Sequence, residues 1–345
     1  MKAIKILGIL ILILALAVAG GVWYLNRFLQ SPDFRDLARR SAQTALGSNV
    51  TLTELEVSLW RGVTLRGIAV ANPPPFRGNL LTAESFVLRY RLLPLLRKTV
   101  AVQKLAVEKP VVALVRDQAG AFNYEKLGGA TAASAPPKTG STGGTRFDVD
   151  LSAITIRDGE VSLASDTGKL LVKLAGLGLD TSVALTGNKL TGRGDARIAE
   201  INVANAIFVR NVTAPVMLGD EIQLAPLTGQ FAGGSVSGGL TVRTTGGFRY
   251  LVDLSGRDSD VATLLREMGA KPSMTGKLQL TAKLEGTGGL PTITGGGRAE
   301  IVNGQLTGVP LLNLLGTLLQ VAELQNLQFR ECVLEYTLAN NVMQN

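Results

Sequence analysis

Hydrophobic and polar residues alternate along much of this chain. In the stretch "GKLQLTAKLEG", residues 276–286, the even positions between the glycines are Leu278, Leu280, Ala282 and Leu284, and the odd positions are polar. Successive side chains of a β-strand point to opposite faces, so this stretch predicts a strand with one apolar and one polar face. A second strand of this kind is predicted from Phe248, Tyr250, Val252 and Leu254.

Turn signals divide the alternating segments into many short strands. Asp158-Gly159 and Asn303-Gly304 each lie between two alternating runs, and both predict two-residue hairpin turns. The sequence "NPPP", residues 72–75, predicts a loop because proline cannot donate to a strand ladder. The pattern as a whole predicts a mostly β protein: a twisted antiparallel sheet or groove capped by short amphipathic helices.

Two segments carry clear helix signals. Ser31-Pro32-Asp33 supplies an N-cap, a proline in the first turn and an acidic residue, and Gly47 ends the predicted helix. A second helix is predicted over residues 259–268, with Asp258 and Asp260 as capping residues near its start.

The N-terminal segment is uncharged from Ile6 to Leu25, and two lysines precede it. A helix of about twenty residues matches the hydrocarbon core of a bilayer, which is about 30 Å thick. We therefore predict an uncleaved transmembrane anchor over residues 1–30. The alternative is a signal peptide cleaved after Ala17-Val18-Ala19, which fits a small-residue cleavage site.

The rest of the chain is predicted to form two modules joined by a linker. Residues 31–127 form the first module. The sequence "GGATAASAPPKTGSTGGT" is of low complexity, and it predicts a flexible linker over residues 128–146. Strand patterns then return, and residues 147–345 form a second, β-rich module.

Composition and charge restrict the partners. The chain of 345 residues contains 40 glycines, which are typical of an all-β protein with many tight turns. Its net charge of +8 suits contact with nucleic acid or anionic lipid. No nucleic-acid-binding motif is present in the sequence, so we expect no nucleic-acid partner.

The sequence contains no recognisable catalytic, metal or cofactor site. It has no histidine, which excludes histidine-based acid–base catalysis and histidine-ligated metal sites. Its one cysteine, Cys332, is predicted to be a small hydrophobic residue of the core. The glycine-rich sequence "GTGGLPTITGGG" lacks the residues of a phosphate-binding loop. We therefore expect a protein that is not an enzyme and has no cofactor.

Two segments are candidates for contact with a membrane or a groove end. The sequence "RYRLLPLLRK" places four leucines between basic residues, which suits anionic head groups, although a core plug with a solvated rim is the commoner explanation of such a pattern. The residues predicted to contact the membrane surface are Leu92, Leu93, Leu95, Leu96, Arg97 and Lys98. An apolar helix that begins near Pro310 fits either a cap on a groove end or buried core.

The apolar strand faces fit two arrangements. In a β-sandwich they pack against a second sheet. In an open groove they shield acyl chains, at about 0.8 kcal/mol for each buried CH₂. A predicted anchor, few aromatic residues and no catalytic residues favour the groove. Its predicted lipid-binding residues are Leu278, Leu280, Leu284, Phe248, Tyr250, Val252 and Leu254.

Two parts of the chain resemble the AsmA family. The N-terminal apolar run and the following helix lead into "LTELEVSLWRGVTLRGIAVANPPPF" and "LTAESFVLRYRLLPLLRKTVAVQKLAVEKPVVALVRDQAGAFNYEKL", which are similar to the family's N-terminal module over residues 1–127. The sequence "GGGRAEIVNGQLTGVPLLNLLGTLLQVAELQNLQF" is similar to its C-terminal module over residues 273–345. The chain is short for this family and ends at "TLANNVMQN", so we expect either a truncated chain or a small member.

The resemblance implies a single-pass inner-membrane protein with most of its chain in the periplasm, related to bridge-like lipid transfer proteins. We therefore expect it to bind or transfer phospholipid through an apolar β-groove and to support outer-membrane biogenesis. The alternative is a non-catalytic assembly or scaffold factor for outer-membrane or other envelope proteins. A lipid-modifying hydrolase is disfavoured because no catalytic triad can be drawn.

Overall fold

A computed structural model describes residues 27, 31–58, 62–91, 99–127, 148–186, 189–243, 249–287, 293–308, 314, 317–321, 326–339 and 342–344. This part of the chain is mostly β with few helices, which confirms the mostly β character of the predicted fold. The predicted anchor apart from Arg27, the 92–98 segment, the linker and Phe248 lie outside the described residues. Among the helices that are described, none has the length and apolar character needed to cross a bilayer.

Both helices with clear sequence signals are present. Helix α1 spans Pro32–Leu46; the Ser31 side chain accepts a hydrogen bond from the Phe34 N–H, and Gly47 follows with φ 61°. Helix α2 spans Val261–Glu267 and begins after Asp260, whose side chain accepts from the Thr263 N–H. Asn123–Lys126 form a short 3₁₀ helix.

The remaining elements are strands: β1 Val50–Thr51, β2 Glu54–Ser58, β3 Gly62–Ala71, β4 Asn79–Arg91, β5 Thr99–Glu108, β6 Val111–Arg116, β7 Asp148–Leu151, β8 Ala153–Ser165, β9 Leu170–Thr186, β10 Lys189–Val203, β11 Ile207–Leu218, β12 Glu221–Phe231, β13 Gly234–Arg243, β14 Arg249–Asp260, β15 Met274–Thr287, β16 Thr294–Thr307, β17 Asn326–Ala339 and β18 Val342–Gln344. The predicted loop at residues 72–75 lies between β3 and β4, as expected.

All eighteen strands in the described part of the chain belong to one sheet. Strands β1 and β2 both pair with β3, which pairs with β4. Strands β5 and β6 each pair with β4 on one side and with β8 on the other. Strand β7, which precedes β8, pairs with the first part of β5. From β8 to β18 each strand pairs with the next.

The sheet is antiparallel except where β5 and β6 meet β7 and β8, which pair in parallel. This parallel pairing joins the two predicted modules in one sheet, since β5 and β6 belong to residues 31–127 and β7 and β8 to residues 147–345. A parallel pair needs a long crossover, and the predicted linker lies within this one. The domain boundaries themselves stay a prediction.

The two predicted hairpin turns are wrong. Asp158 lies inside β8 and Asn303 inside β16, and each strand continues past the Asx-Gly pair. A type I′ turn needs a positive φ at both central residues. Here Asp158 has φ 52° and Asn303 has φ 50°, but the glycine that follows each has no positive φ. Register shifts beside Asp158 in β8, and in the pairing of β15 with β16 near Asn303, show bulges rather than turns.

Bulges of this kind cross the sheet as a line, which we call the bulge line. Its positive-φ residues inside strands include Gly67, Asp158, Gly176, Asn211, Asp258 and Asn303. A bulge inserts one residue, so the apolar positions change between odd and even numbers as a strand crosses the line. In β9, for example, Leu179 lies opposite Ala196 on one side of the line, and Leu174 lies opposite Ile201 on the other.

Candidate functional site

The predicted lipid-binding residues of β14 and β15 lie on one face of the sheet. Tyr250 lies directly opposite Gly286, Val252 opposite Leu284, and Leu254 opposite Ala282. Directly opposite residues share a face, and so do alternate residues of one strand. The odd positions of β15 are exposed while its even positions are buried or half-buried, which confirms the predicted alternation.

One line of directly opposite residues continues through Val252 and Leu284 across the whole sheet, and we call it the apolar row. In order from β2 to β18, the apolar row consists of Val57, Val63, Leu88, Leu105, Ile154, Thr181, Gly194, Val216, Leu224, Leu240, Val252, Leu284, Gly295, Leu338 and Met343. Its members are aliphatic apart from one threonine, two glycines and one methionine. At about 4.8 Å for each strand spacing, the apolar row is roughly 65 Å long.

The apolar row is buried in some places and partly accessible in others. Val57 and Val216 are buried, with 7% and 4% of their surface exposed. Leu224, Leu240, Val252 and Leu284 are only half-buried. All described strands belong to one sheet rather than to two stacked sheets. This arrangement differs from the sandwich that the sequence left open.

Helix α2 covers one part of the same face. Its Val261 forms a buried cluster with Phe231, Ala232, Val236 and Leu278. Leu254, Leu264, Leu265 and Leu280 pack against this cluster. The predicted lipid-binding residues therefore form two groups: Leu254, Leu278 and Leu280 contribute to the cluster under α2, whereas Val252 and Leu284 are not part of it. The sequence pattern does not separate these groups, because the alternation is the same in both.

Polar contacts fix α2 to the sheet at both of its ends. At its start, hydrogen bonds from the Thr263 side chain and backbone lower the pKa of Asp260. Near its end, Glu267 accepts a hydrogen bond from Arg210 of β11 at 2.5 Å, and Arg210 also contacts Glu200 of β10 at 3.2 Å. The hydrogen bond with Glu267, followed by its charge, raises the pKa of Arg210.

Two smaller predictions are wrong. Cys332 is exposed rather than part of the core. It lies opposite Ile301, near an edge of the sheet, where the short β18 is the last strand among the residues that the structure describes. Asp258 does not cap α2, because it adopts φ 57° in the bulge that precedes Ser259. The predicted cap at Asp260 is confirmed.

The predicted membrane-surface residues 92–98 lie outside the described residues, but their flanks locate the strand ends that they join. Val50 begins β1, the first strand after α1. Val50 and Leu81 of β4 both lie opposite Val70 of β3, so they are at the same level in the sheet. Arg91 ends β4 ten residues later, at about 33 Å along the strand. Arg91 and the start of β1 therefore lie at opposite ends of the strands.

The sequence model of the AsmA family matches residues 1–216, which is more than half of the chain. The match includes the first module and continues to β11, and residues 273–345 lie outside it. A comparison with curated proteins found no match to the chain. Among the described residues, the cysteine and carboxylate side chains form no cluster that could hold a metal ion.

Proposed function

The chain belongs to the AsmA family, and on this premise we propose that it is an inner-membrane-anchored periplasmic protein that binds or transfers phospholipid along the apolar row and supports outer-membrane biogenesis. The observation that carries the proposal is the apolar row itself. It crosses the strands from β2, in the module that follows the proposed anchor, to β18 at the other edge of the sheet.

The proposed mechanism is passive. Acyl chains lie against the aliphatic side chains of the apolar row, and each buried CH₂ contributes about 0.8 kcal/mol. This energy has no directional requirement, so neighbouring positions along the row stabilise an acyl chain to a similar extent. Phospholipid can then move across the strands in small steps, with its head group at the rim in water. The proposed role includes no catalytic step.

Two adjacent cross-strand pairs provide a matched test. Val252 and Leu284 face each other in the apolar row, and Asp253 and Lys283 form the next pair on the opposite face, 3.6 Å apart and well exposed. We expect full-length protein to copurify with phospholipid detectable by mass spectrometry. Val252→Gln with Leu284→Gln should lower the bound lipid several-fold, because it makes the row polar. Asp253→Asn with Lys283→Gln should leave the bound lipid unchanged.

Folding of each variant is checked by circular dichroism before lipid is measured. An absence of lipid from folded wild-type protein, or an equal loss in both double variants, would contradict binding along the apolar row.

One observation favours a scaffold role as the second candidate. Strand β18 pairs only with Thr337–Ala339 of β17, and within the described residues no strand pairs with the rest of that edge. Leu327, Val333 and Leu334 of β17 are exposed. An exposed strand edge can accept a strand from another protein. Folded protein that carries no lipid but retains an envelope protein through β17 would favour this role.

A further inference from the structure

A cluster of aromatic and basic side chains lies where the loop after β3 meets the 3₁₀ helix. The Lys126 ammonium lies 5.1 Å from the centre of the Phe76 ring, and the Arg116 guanidinium lies 6.0 Å from the Phe122 ring. The Phe122 and Tyr124 rings stack at 5.3 Å, and Tyr124 is 44% exposed. We call these five residues, with Arg77, the aromatic–basic patch.

Buried asparagines hold the two loops of the patch together. Asn123 is fully buried, and its side chain donates to the Asn72 side chain at 2.7 Å and to the Ala113 carbonyl at 2.8 Å. Asn72 in turn donates to the Arg77 carbonyl at 2.7 Å. These bonds fix the backbone on both sides of the aromatic side chains, so the patch is a preformed surface.

The patch is also next to the end of α1. The Ala71 N–H donates to the Asn49 carbonyl, and the Ser48 hydroxyl donates to the Ala71 carbonyl. Ala71 immediately precedes the patch loop, and Ser48 and Asn49 immediately follow Gly47 at the end of α1. The uncharged run from Ile6 to Leu25 lies only a few residues before α1 in the sequence.

We propose that the aromatic–basic patch rests on the surface of the bilayer into which residues 6–25 insert, and that it orients the sheet on the membrane. This inference rests on the membrane anchor of the proposed function. Aromatic rings with an exposed polar edge favour the membrane interface, and nearby lysine and arginine side chains are attracted to anionic lipid. Three acidic residues lie nearby: Asp117, which is 3.8 Å from Lys126, Glu125, and Asp166, whose N–H donates to the Arg116 carbonyl. Acidic and basic residues are therefore equal in number here, and the proposed contact depends mainly on the exposed aromatic rings.

The proposed orientation differs from contact through residues 92–98. Those residues follow Arg91, about 33 Å along the strands from the level of the patch. A bilayer surface that meets the patch is therefore remote from Arg91 unless the strands lie flat on the membrane.

A fluorophore attached to a single cysteine tests this orientation. Cys332→Ser removes the natural cysteine, and Glu125→Cys labels the patch without changing its rings or basic residues. Arg91→Cys labels the other end of β4, and Asp220→Cys labels an exposed turn at the same far end of the sheet. Full-length protein is reconstituted in vesicles of phosphatidylethanolamine and phosphatidylglycerol that contain lipids brominated near the head group. Quenching of each fluorophore is then compared after flotation.

We expect strong quenching at 125 and little at 91 or 220. Tyr124→Ser with Lys126→Gln should reduce the quenching at 125 by about twofold or more, because it removes the interfacial ring and charge. Lys271→Gln, in the exposed loop after α2 and many strands away from the patch, should not change it.

The possible failures are distinguishable. Protein that does not float with the vesicles would overturn the anchor together with this inference. Protein that floats but shows equal quenching at 125 and 220, or stronger quenching at 91, would contradict contact between the patch and the bilayer and leave the anchor unaffected. If the cysteine at position 125 is protected from labelling in cells but is not quenched in vesicles, the patch contacts a protein partner, and this result would also overturn the inference.

Discussion

The ring of Tyr250 lies over Gly286 on the neighbouring strand. The two residues are directly opposite each other in β14 and β15. A Cβ atom at position 286 would overlap the Tyr250 ring, whose Cε1 atom would be only 2.9 Å away. Glycine at 286 therefore allows Tyr250 to keep its place on the apolar face, next to the Val252–Leu284 pair.

Gly286→Ala should therefore destabilise the protein. The added methyl group must displace a large ring on a packed face, and overpacking of this kind costs about 1–3 kcal/mol. Gly219→Ala is the control, because its Cβ would meet only the Glu221 carbonyl at 3.8 Å. Denaturant unfolding of both variants measures the difference. An equal free energy of unfolding for the two variants would show that the ring moves aside without cost.

Asp158 should tolerate asparagine but not valine. Its φ of 52° is accessible to aspartate and asparagine, whereas a β-branched residue is strained there. Asp158→Val should lower the free energy of unfolding by about 1–3 kcal/mol, and Asp158→Asn should change it little. Ser162→Val, in the same strand but without a positive φ, should be close to neutral. A neutral Asp158→Val variant would mean that the bulge relaxes into a regular strand.

Local sequence signals predicted the elements that depend only on local chemistry. The alternation in residues 276–286 and the caps Ser31 and Gly47 each act within a few residues, so the sequence contains the whole signal. The Asp158-Gly159 pair failed as a predictor because the same two residue types suit a hairpin turn and a bulge. The difference is whether the second residue also adopts a positive φ, and the pairing of β8 with its neighbours decides this.

The sequence predicted which face of the strands is apolar, but it did not predict which part of that face is covered by a helix. Leu278 and Leu284 have the same position in the alternating pattern, and no local signal shows that α2 covers one and not the other. The position of α2 depends on contacts such as Arg210 with Glu267, which are distant in the chain. The apolar row was likewise not predictable, since the parallel pairing of β5 with β8 and the register at each strand come from the assembled sheet.

The start of α2 should become less stable in acid. Hydrogen bonds from Thr263 hold the pKa of Asp260 in the folded protein below its ordinary value of 3.8. A lowered pKa means that the carboxylate stabilises the fold above pH 3.8, and that this contribution is lost as the pH falls through the lower, folded-state value. Asp260→Ala should cost about 1 kcal/mol at neutral pH.

Asp260→Asn is the matched control, because it keeps an acceptor for the Thr263 N–H but does not titrate. Between pH 5 and pH 2 the free energy of unfolding should fall less steeply for Asp260→Asn than for the wild type, as measured by chemical denaturation. Identical slopes would show that Asp260 contributes nothing to the acid dependence.

The proposed topology predicts an active reporter. Alkaline phosphatase fused after Asn345 should be active, because the enzyme needs the oxidising periplasm to form its disulfides. The fusion should also keep its full length, because residues 1–30 are proposed to stay attached. An inactive fusion would contradict the periplasmic location, and a product about 19 residues shorter would instead show cleavage after Ala19.

Photo-crosslinking at two neighbouring residues of β14 should distinguish a lipid-binding face from an apolar surface of any kind. Val252 lies in the apolar row, and Leu251 lies on the opposite face with 51% of its surface exposed. Both residues are aliphatic and adjacent in the chain, so they differ mainly in the face that they occupy. A photoreactive residue at 252 or at 284 should form adducts with phospholipid in cells, and one at 251 should form few.

Gln279 and Leu280 of β15 extend the comparison. Gln279 is on the polar face and should behave like Leu251, whereas Leu280 packs against the α2 cluster and should be labelled less than Leu284 if α2 keeps acyl chains away. Each variant is first checked for cooperative unfolding. Equal labelling at 251 and 252, or no adduct at 252 and 284 in folded protein, would contradict binding along the apolar row. Exposure alone would favour adducts at Leu251, so the opposite preference can arise only if lipid reaches the half-buried face.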